Sequence, residues 1–368
     1  YRLHVLPTEK SDHRFDFAAH VVLKSGRGTY EVVVGEPGRV PADPTYRLRD
    51  RDLSKTSIEF AAPGVAAKGR WTHSVDIDSA MAMGFGAQYD ISAPSRRTHF
   101  VTPTYARNLA LTWRGDLTVG QGNAERIEFG PQERHTAGGT TAVSFSRAAF
   151  GPNGTGTHGD DGSISVTFDP SGPASRGTYL LQSEEPLITG EVVLRRGEKV
   201  LATSKDPLTV SAADVPAEPA TFSVRLAARH RLPWNRYATA VEGSWTFASQ
   251  RPSKDAASLP MLDVRLDGPF DGMGRARAGR PAPLRLAVTG PTSPKIVSAP
   301  TLALSYDDGK TWAPVRLRAV GEVWEARPLL PPVAEGGQKY ASYRVTAEDS
   351  EGNTVDVTAI RAFAVRRP

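Results

Sequence analysis

"LALSYDDGKTWAPV", residues 302–315, is the stretch that decides between two folds. Its Ser305-x-Asp307-x-Gly309-x-Thr311-Trp312 matches the Asp box, a turn motif that β-propellers repeat on several blades. Leu302, Leu304 and Tyr306 alternate along one face of a strand, and Asp307-Asp308-Gly309-Lys310 turns the chain. Gly309 supplies the positive φ such a loop needs, while the short carboxylate of Asp307 accepts backbone N–H bonds across it. Thr311 and Trp312 open the return strand, with the indole covering the hairpin's open side. The box occurs once, and no internal period of about 20 to 50 residues emerges. The expectation is a structural hairpin built by Ser305, Asp307, Gly309, Thr311 and Trp312, and no sialidase-type propeller.

Outward from this hairpin the chain reads as strands nearly everywhere. "TYEVVVGE" (29–36), "SISVTFDP" (163–170), "GEVVLRRGEKVLATS" (190–204) and "ATFSVRLAARH" (220–230) alternate apolar and polar residues and are punctuated by Gly, Pro, Asp and Asn. Arg196-Gly197-Glu198 reads as a turn, as does "DSEGN" inside "YASYRVTAEDSEGNTVDVTAIRAFAV" (340–365). No window sustains a helical apolar stripe, and "SAADVPAEPA" (211–220) holds a helical turn at most before its prolines stop it. Many short strands with Gly/Pro turns imply an all-β chain of tandem β-sandwich domains, immunoglobulin/fibronectin type III-like and jelly-roll-like. "ASQRPSKDAASLP" (248–260) reads as a linker, and a weaker break falls near "GAQYDISAPS" (86–95). The expected division is 1–90, 91–256 and 257–368, with the first two parts packed on one another. The last carries about seven strands in about 110 residues, the size of an immunoglobulin or fibronectin type III sandwich.

Composition excludes several functions. Lys plus Arg (45) exceeds Asp plus Glu (40) by only five, in scattered positions, so the chain carries no nucleic-acid footprint. The absence of cysteine excludes thiolate metal sites, thiol nucleophiles and disulfides. No stretch approaches the roughly 20 apolar residues of a membrane span. The chain opens at Tyr1 without a signal peptide and reads as a piece of something longer.

Chemistry-bearing motifs are thin. "GTGTHGDDGS" (154–163) satisfies Gly154-x-Gly156-x-x-Gly159 and sets Thr157 before His158, but it reads as an exposed Gly-rich loop with no helix to receive a phosphate and no frame to hold a general base. The eight histidines show no i/i+2 or i/i+4 pairing, and HExxH is absent, so no metal ligands are expected from spacing. Asp76 with Asp78, or Asp160 with Asp161, offers oxygen ligands for a Ca²⁺ ion, short of a full EF-hand spacing. His20 in "FAAHVVL" is expected to be a strand residue with a satisfied hydrogen bond. Trp71, Trp113, Trp245 and Trp324 sit in alternating contexts that fill cores. Trp234 in "HRLPWNRY" (230–237), with Arg236 beside it, is the candidate exposed binding position.

Four segments together resemble one family. "SYDDGKTWAPV" followed by "RVTAEDSEGNTVDVTAIRAF" is similar to the C-terminal end of large secreted actinobacterial subtilisin-like serine peptidases. "TYRLRDRDLSKTSIEF" (45–60), "PSRRTHFVTP" (94–103) and "SRAAFGPNG" (146–154) resemble segments that follow the catalytic domain in the same proteins, in the same order. The resemblance implies non-catalytic β domains of a secreted, extracellular endopeptidase. They would attach to or associate with its subtilisin-like catalytic domain and contact a protein substrate or a cell-surface polymer. The catalytic motifs themselves, Gly-Thr-Ser and His-Gly-Thr-His, are missing here, so no catalytic residue carries over and no cofactor is implied. The competing expectation is a free-standing carbohydrate- or cell-wall-binding β-sandwich protein.

Overall fold

The computed structural model describes residues 17–36, 45–77, 83–106, 109–120, 124–173, 178–182, 186–291 and 293–367. His4, His13 and Asp78 lie outside them. The described residues form strands joined by turns, with one short 3-10 turn at Asp50–Asp52 and no α-helix. The tandem β-sandwich class is thus observed, and its cause is the alternation read in the sequence. In Ala220–His230, Phe222, Val224, Leu226, Ala228 and His230 face inward while their neighbours face out. In Leu109–Gly120 the inward face carries Leu109, Leu111, Trp113, Leu117 and Val119.

Two sheets make the first sandwich. One runs Phe17–Ser25, Gly28–Glu36, Ser95–Val101, Ser54–Phe60 and Thr140–Phe145, with parallel pairing between the second and third and between the fourth and fifth strands. The other is antiparallel: Thr178–Gln182, Ala124–Glu133, Leu109–Gly120, Ala67–Ile77 and Met83–Ala93. Phe60 and Phe145 from the first sheet stack at 5.6 Å, and Phe60 meets Trp71 of the second edge-on at 5.8 Å. Strand pairing therefore runs through residue 90, and Thr178–Gln182, far downstream, completes this sandwich.

The rest of the chain is built around one nine-stranded sheet. Its path is Lys199–Ser204, Ile188–Arg196, Ala220–His230, Ala240–Ser249, Thr354–Arg366, Gln338–Glu348, Thr301–Ser305 and Ala313–Pro314, with Arg275–Arg277 parallel to Thr354–Arg366. A four-stranded sheet (Thr209–Ala212, Ile164–Pro173, Phe150–His158, Ala257–Ser258) and another (Asp263–Asp267, Leu284–Thr289, Val323–Ala326, Arg318–Val320) complete this part. A single apolar cluster extends from Ala148 to Val365 through all three sheets. The expected boundary at 256 is crossed by the ladder between Ala240–Ser249 and Thr354–Arg366, seven residue pairs from Ala240–Ile360 to Thr246–Thr354. The segment 248–260, expected to be a linker, pairs Ala257 and Ser258 with His158 and Thr157 and buries Leu259.

Two further expectations are corrected. Residues 150–158 form a strand and not an exposed loop, and His158 is only 1% exposed, with Nδ1 2.9 Å from Ser249 Oγ. The glycines serve close packing: a Cβ at Gly154 would meet Phe168 Cε1 at 2.5 Å, and one at Gly156 would meet Leu259 Cδ1 at 2.6 Å. Trp234 is buried at 7% exposure, its Nε1 donating to Ala124 O at 3.1 Å and the Arg126 guanidinium lying over its ring at 5.0 Å. The polar neighbours in "HRLPWNRY" gave the wrong impression, because Arg126 arrives from the other sandwich to cover the indole. Arg236 is exposed, with its backbone N–H on Pro63 O at 2.8 Å. Trp71, Trp113 and Trp245 fill cores, and Trp324 is half-buried against one.

Candidate functional site

The hairpin at 302–315 is closed by its own side chains. Gly309 N–H donates to Ser305 Oγ at 2.9 Å, and Ser305 Oγ donates to Asp307 Oδ1 at 2.7 Å. Asp307 also accepts from Thr311 N–H (2.9 Å) and Thr311 Oγ1 (2.6 Å). These bonds, the Thr311 hydroxyl first, hold its carboxyl down at about 2. Gly309 sits at φ 85°, as the turn requires. Trp312 is half-buried beside Gly309, with the Arg344 guanidinium over its ring at 4.9 Å.

The densest chemistry lies elsewhere, between the two sheets of the first sandwich. Glu31 points inward from Gly28–Glu36 and is completely buried. Its Oε2 lies 2.7 Å from His73 Nδ1 and its Oε1 lies 2.8 Å from His99 Nδ1, while Tyr89 O–H donates to Oε1 at 2.6 Å. His20 Nε2 stands 3.8 Å from Oε2. The imidazole of His73 is stacked between Trp71 (4.7 Å) and Trp113 (4.8 Å). Burial pushes the Glu31 carboxyl up, but the hydrogen bonds and charges of His73 and His99 outweigh it and hold the group at about 2. Burial pulls both His99 and His20 below the ordinary imidazole value, against the pull of Glu31. At His20 the expected hydrogen bond is not made by Nε2, which is buried without a partner, as are the Nε2 atoms of His73 and His99.

Next to this cluster, Ser54 Oγ lies 3.3 Å from His135 Nδ1, and His135 Nε2 lies 3.2 Å from Glu133 Oε2. The residue types match a hydrolytic triad, but Ser54 is 0% exposed, so its hydroxyl is out of a substrate's reach.

A third buried constellation ties the two parts of the molecule together. Arg126 Nε and Nη2 donate to Asp169 at 2.6 and 3.2 Å, and Nη2 also reaches Ser171 O and Oγ, both at 2.6 Å. Asp169 further accepts from Thr178 Oγ1 at 2.6 Å. Beside it His230 Nε2 donates to Tyr237 O at 2.7 Å and Nδ1 accepts from Leu232 N–H at 3.3 Å. The second bond requires the neutral ring, because a protonated Nδ1 cannot accept. Burial, with Arg126 adding its repulsion, lowers His230 to about 4 against the pull of the Tyr237 carbonyl and of Asp169. Between the ordinary imidazole value and that one, the unfolded chain holds a proton that the folded chain does not. Stability is therefore full above about 6.5 and falls as the pH drops toward 4, by up to about 3 kcal/mol from this residue. Urea unfolding at pH 7.5 and 4.5 checks this: His230→Gln should show the smaller loss. An identical pH dependence in variant and parent would remove His230 as the cause.

Of the histidines that spacing left unpaired, topology has thus gathered three around one carboxylate. Among the described residues no helix is long and apolar enough to cross a membrane.

No family model matches the chain, and no curated protein does. Among solved structures the chain is similar to the mouse nectin-like molecule 4 ectodomain (Ig1–Ig3), at 13% identity over 84% of this chain and 98% of that one, with a TM-score of 0.17. It is also similar to Salmonella alpha-2-macroglobulin reacted with methylamine, at 10% identity over 84% of this chain and 23% of that one, TM-score 0.17. A third similarity is to the N-terminal eight Ig domains of Down Syndrome Cell Adhesion Molecule, at 8% identity over 88% and 60% of the two chains, TM-score 0.18. Superpositions this loose carry no functional argument, and the assignment to β-sandwiches rests on the strands and ladders described above.

Proposed function

We propose that this chain is a non-catalytic accessory region of a secreted subtilisin-like serine endopeptidase, a stiff β-sandwich body that steadies the associated catalytic domain or holds its substrate. The observation that carries the reading is the fusion of the sandwiches. The continuous nine-stranded sheet and the buried Arg126–Asp169 pair remove the hinges that independently moving modules would need. A body of this kind suits a fixed platform. The four ordered segments of resemblance point to the same class of protein.

Peptide mapping of the native secreted protein tests the proposal. The expected map continues beyond this chain into a segment with Asp, His and Gly-Thr-Ser motifs. That protease should lose thermal lifetime or substrate preference when the region is deleted. A native protein without such a segment would sink the reading. Glycan-array binding by the isolated chain would then favour the carbohydrate-binding alternative, whose sequence candidate, Trp234, is buried.

A further inference from the structure

The geometry points to a divalent transition-metal site between the sheets of the first sandwich, with Glu31, His20, His73 and His99 holding a Zn²⁺ ion. The inference does not depend on the proposed association with a protease.

The donor set comes first. One carboxylate oxygen each from Glu31 and one imidazole nitrogen each from His73 and His99 lie within 4.8 Å of one another, all three residues buried. His20 Nε2 faces the same carboxylate from the neighbouring strand. Nitrogen and oxygen donors of this kind suit zinc, which takes imidazole at about 2.0–2.1 Å and carboxylate at about 2.0–2.2 Å in a tetrahedron. Ligand atoms of such a tetrahedron stand about 3.3 Å apart. Here Glu31 Oε2 lies 2.7 Å from His73 Nδ1 and 3.8 Å from His20 Nε2, while Oε1 lies 2.8 Å from His99 Nδ1. To close the cage the carboxylate must turn so that one oxygen faces both rings, and His20, which stands outside the three-residue group, must close in.

The unpartnered atoms are the second, independent observation. The His20 side chain is 7% exposed, and its Nε2 is buried without a hydrogen-bond partner while aimed at the carboxylate. A buried imidazole nitrogen left unpaired carries its full desolvation cost, and a metal bond would satisfy it. Charge gives the third. Among the described residues the ion-pair partners of Glu31 are these three histidines, with no Lys or Arg at that distance. The charged side chains within ion-pair distance of this fully buried carboxylate are thus imidazoles alone. A divalent cation would place a fixed positive charge beside it.

The protons balance without an external base. In the metal-free cluster Nδ1 of His73 and of His99 carries the hydrogen that bonds Glu31. On binding, a ring in its neutral form moves that proton to Nε2 and presents the Nδ1 lone pair to the ion. Tyr89, through its 2.6 Å hydrogen bond to Oε1, orients the carboxylate from outside the ligand set. The four donors come from Phe17–Ser25, Gly28–Glu36, Ala67–Ile77 and Ser95–Val101, so the ion would bind both sheets together.

The test is to unfold the chain in chelator, refold it with Zn²⁺ or without, and measure bound metal by mass spectrometry and the melting temperature by calorimetry. The expected result is about one Zn²⁺ per chain and a rise in Tm of about 5 °C or more. Refolding with Co²⁺ should give the visible absorption of a four-coordinate ion. Tyr89→Phe should weaken binding about 10- to 100-fold while leaving one site, and His99→Gln should abolish it. If His99→Gln does not fold, the Co²⁺ spectrum and the metal-dependent Tm of the unaltered chain decide alone. A chain refolded in excess Zn²⁺ that carries no ion above the buffer blank and melts unchanged would overturn the proposal and leave a metal-free hydrogen-bonded network.

Discussion

Asp169→Ala is expected to destabilise the chain by about 3–5 kcal/mol, because it leaves the Arg126 guanidinium buried with no counter-charge. Arg126 is 1% exposed and Asp169 equally so, which removes solvent as a substitute partner. The loss also frees Thr178 Oγ1 and the Ser171 N–H, each of which now donates to Asp169. The expected effect is asymmetric. A paired replacement, Arg126→Met with Asp169→Leu, should recover most of the loss, since an apolar pair of similar volume avoids both desolvation costs. Urea unfolding of the single and double variants measures both. A single variant within about 1 kcal/mol of the parent would mean that water reaches the guanidinium and that the pair does not lock the two parts together.

Trp245→Ala should cost a comparable amount, about 3–5 kcal/mol, by a different route. The indole is 2% exposed, packs on Phe168 at 5.0 Å and donates from Nε1 to Leu262 O at 2.9 Å. It lies over Gly243, where a Cβ would meet the ring at 2.3 Å, so the strand is shaped to seat it. Truncation leaves a cavity and an unsatisfied carbonyl together. The residue stands on Ala240–Ser249, the strand that joins the early and late halves of the nine-stranded sheet, so the loss should lower one common unfolding transition. Separate melting of residues 257–368 at an unchanged urea midpoint would contradict the continuous core.

How much of this was legible in the sequence depends on the distance between the partners. The turn at Gly197, the "DSEGN" turn and the closing bonds of the 302–315 hairpin are local, and residue types a few positions apart specify them. The strands were legible because burial has period two. The sheet order was not: Thr178–Gln182 joins Ala124–Glu133, and Thr354–Arg366 joins Ala240–Ser249 across more than a hundred positions. Proline and polar residues in 248–260 read as a linker, yet Leu259, Met261 and Leu262 anchor its end in the core. The Glu31 cluster escaped because a search for ligand spacing looks within one strand, and its members come from four. A trace of it was present. In "RWTHSVDI" His73 occupies the same phase as Trp71, Val75 and Ile77, and in "TYEVVVGE" Glu31 shares the phase of Val33. A titratable residue on an inward phase must find a partner across the core, and that rule would have singled out both.

The position of the final strand has a consequence for how the molecule comes to be made. Thr354–Arg366, which comes after every other strand of the nine-stranded sheet along the sequence, is central in it, flanked by Ala240–Ser249 and Gln338–Glu348. Until it arrives, Ala240–Ser249 presents an open edge of unpaired backbone groups, the kind of surface that recruits foreign strands. The growing chain therefore cannot complete this sheet piece by piece from its N-terminus. A polypeptide cut short before Thr354 would lose the strand that joins both halves, and a stalled or clipped product should be aggregation-prone instead of partly native.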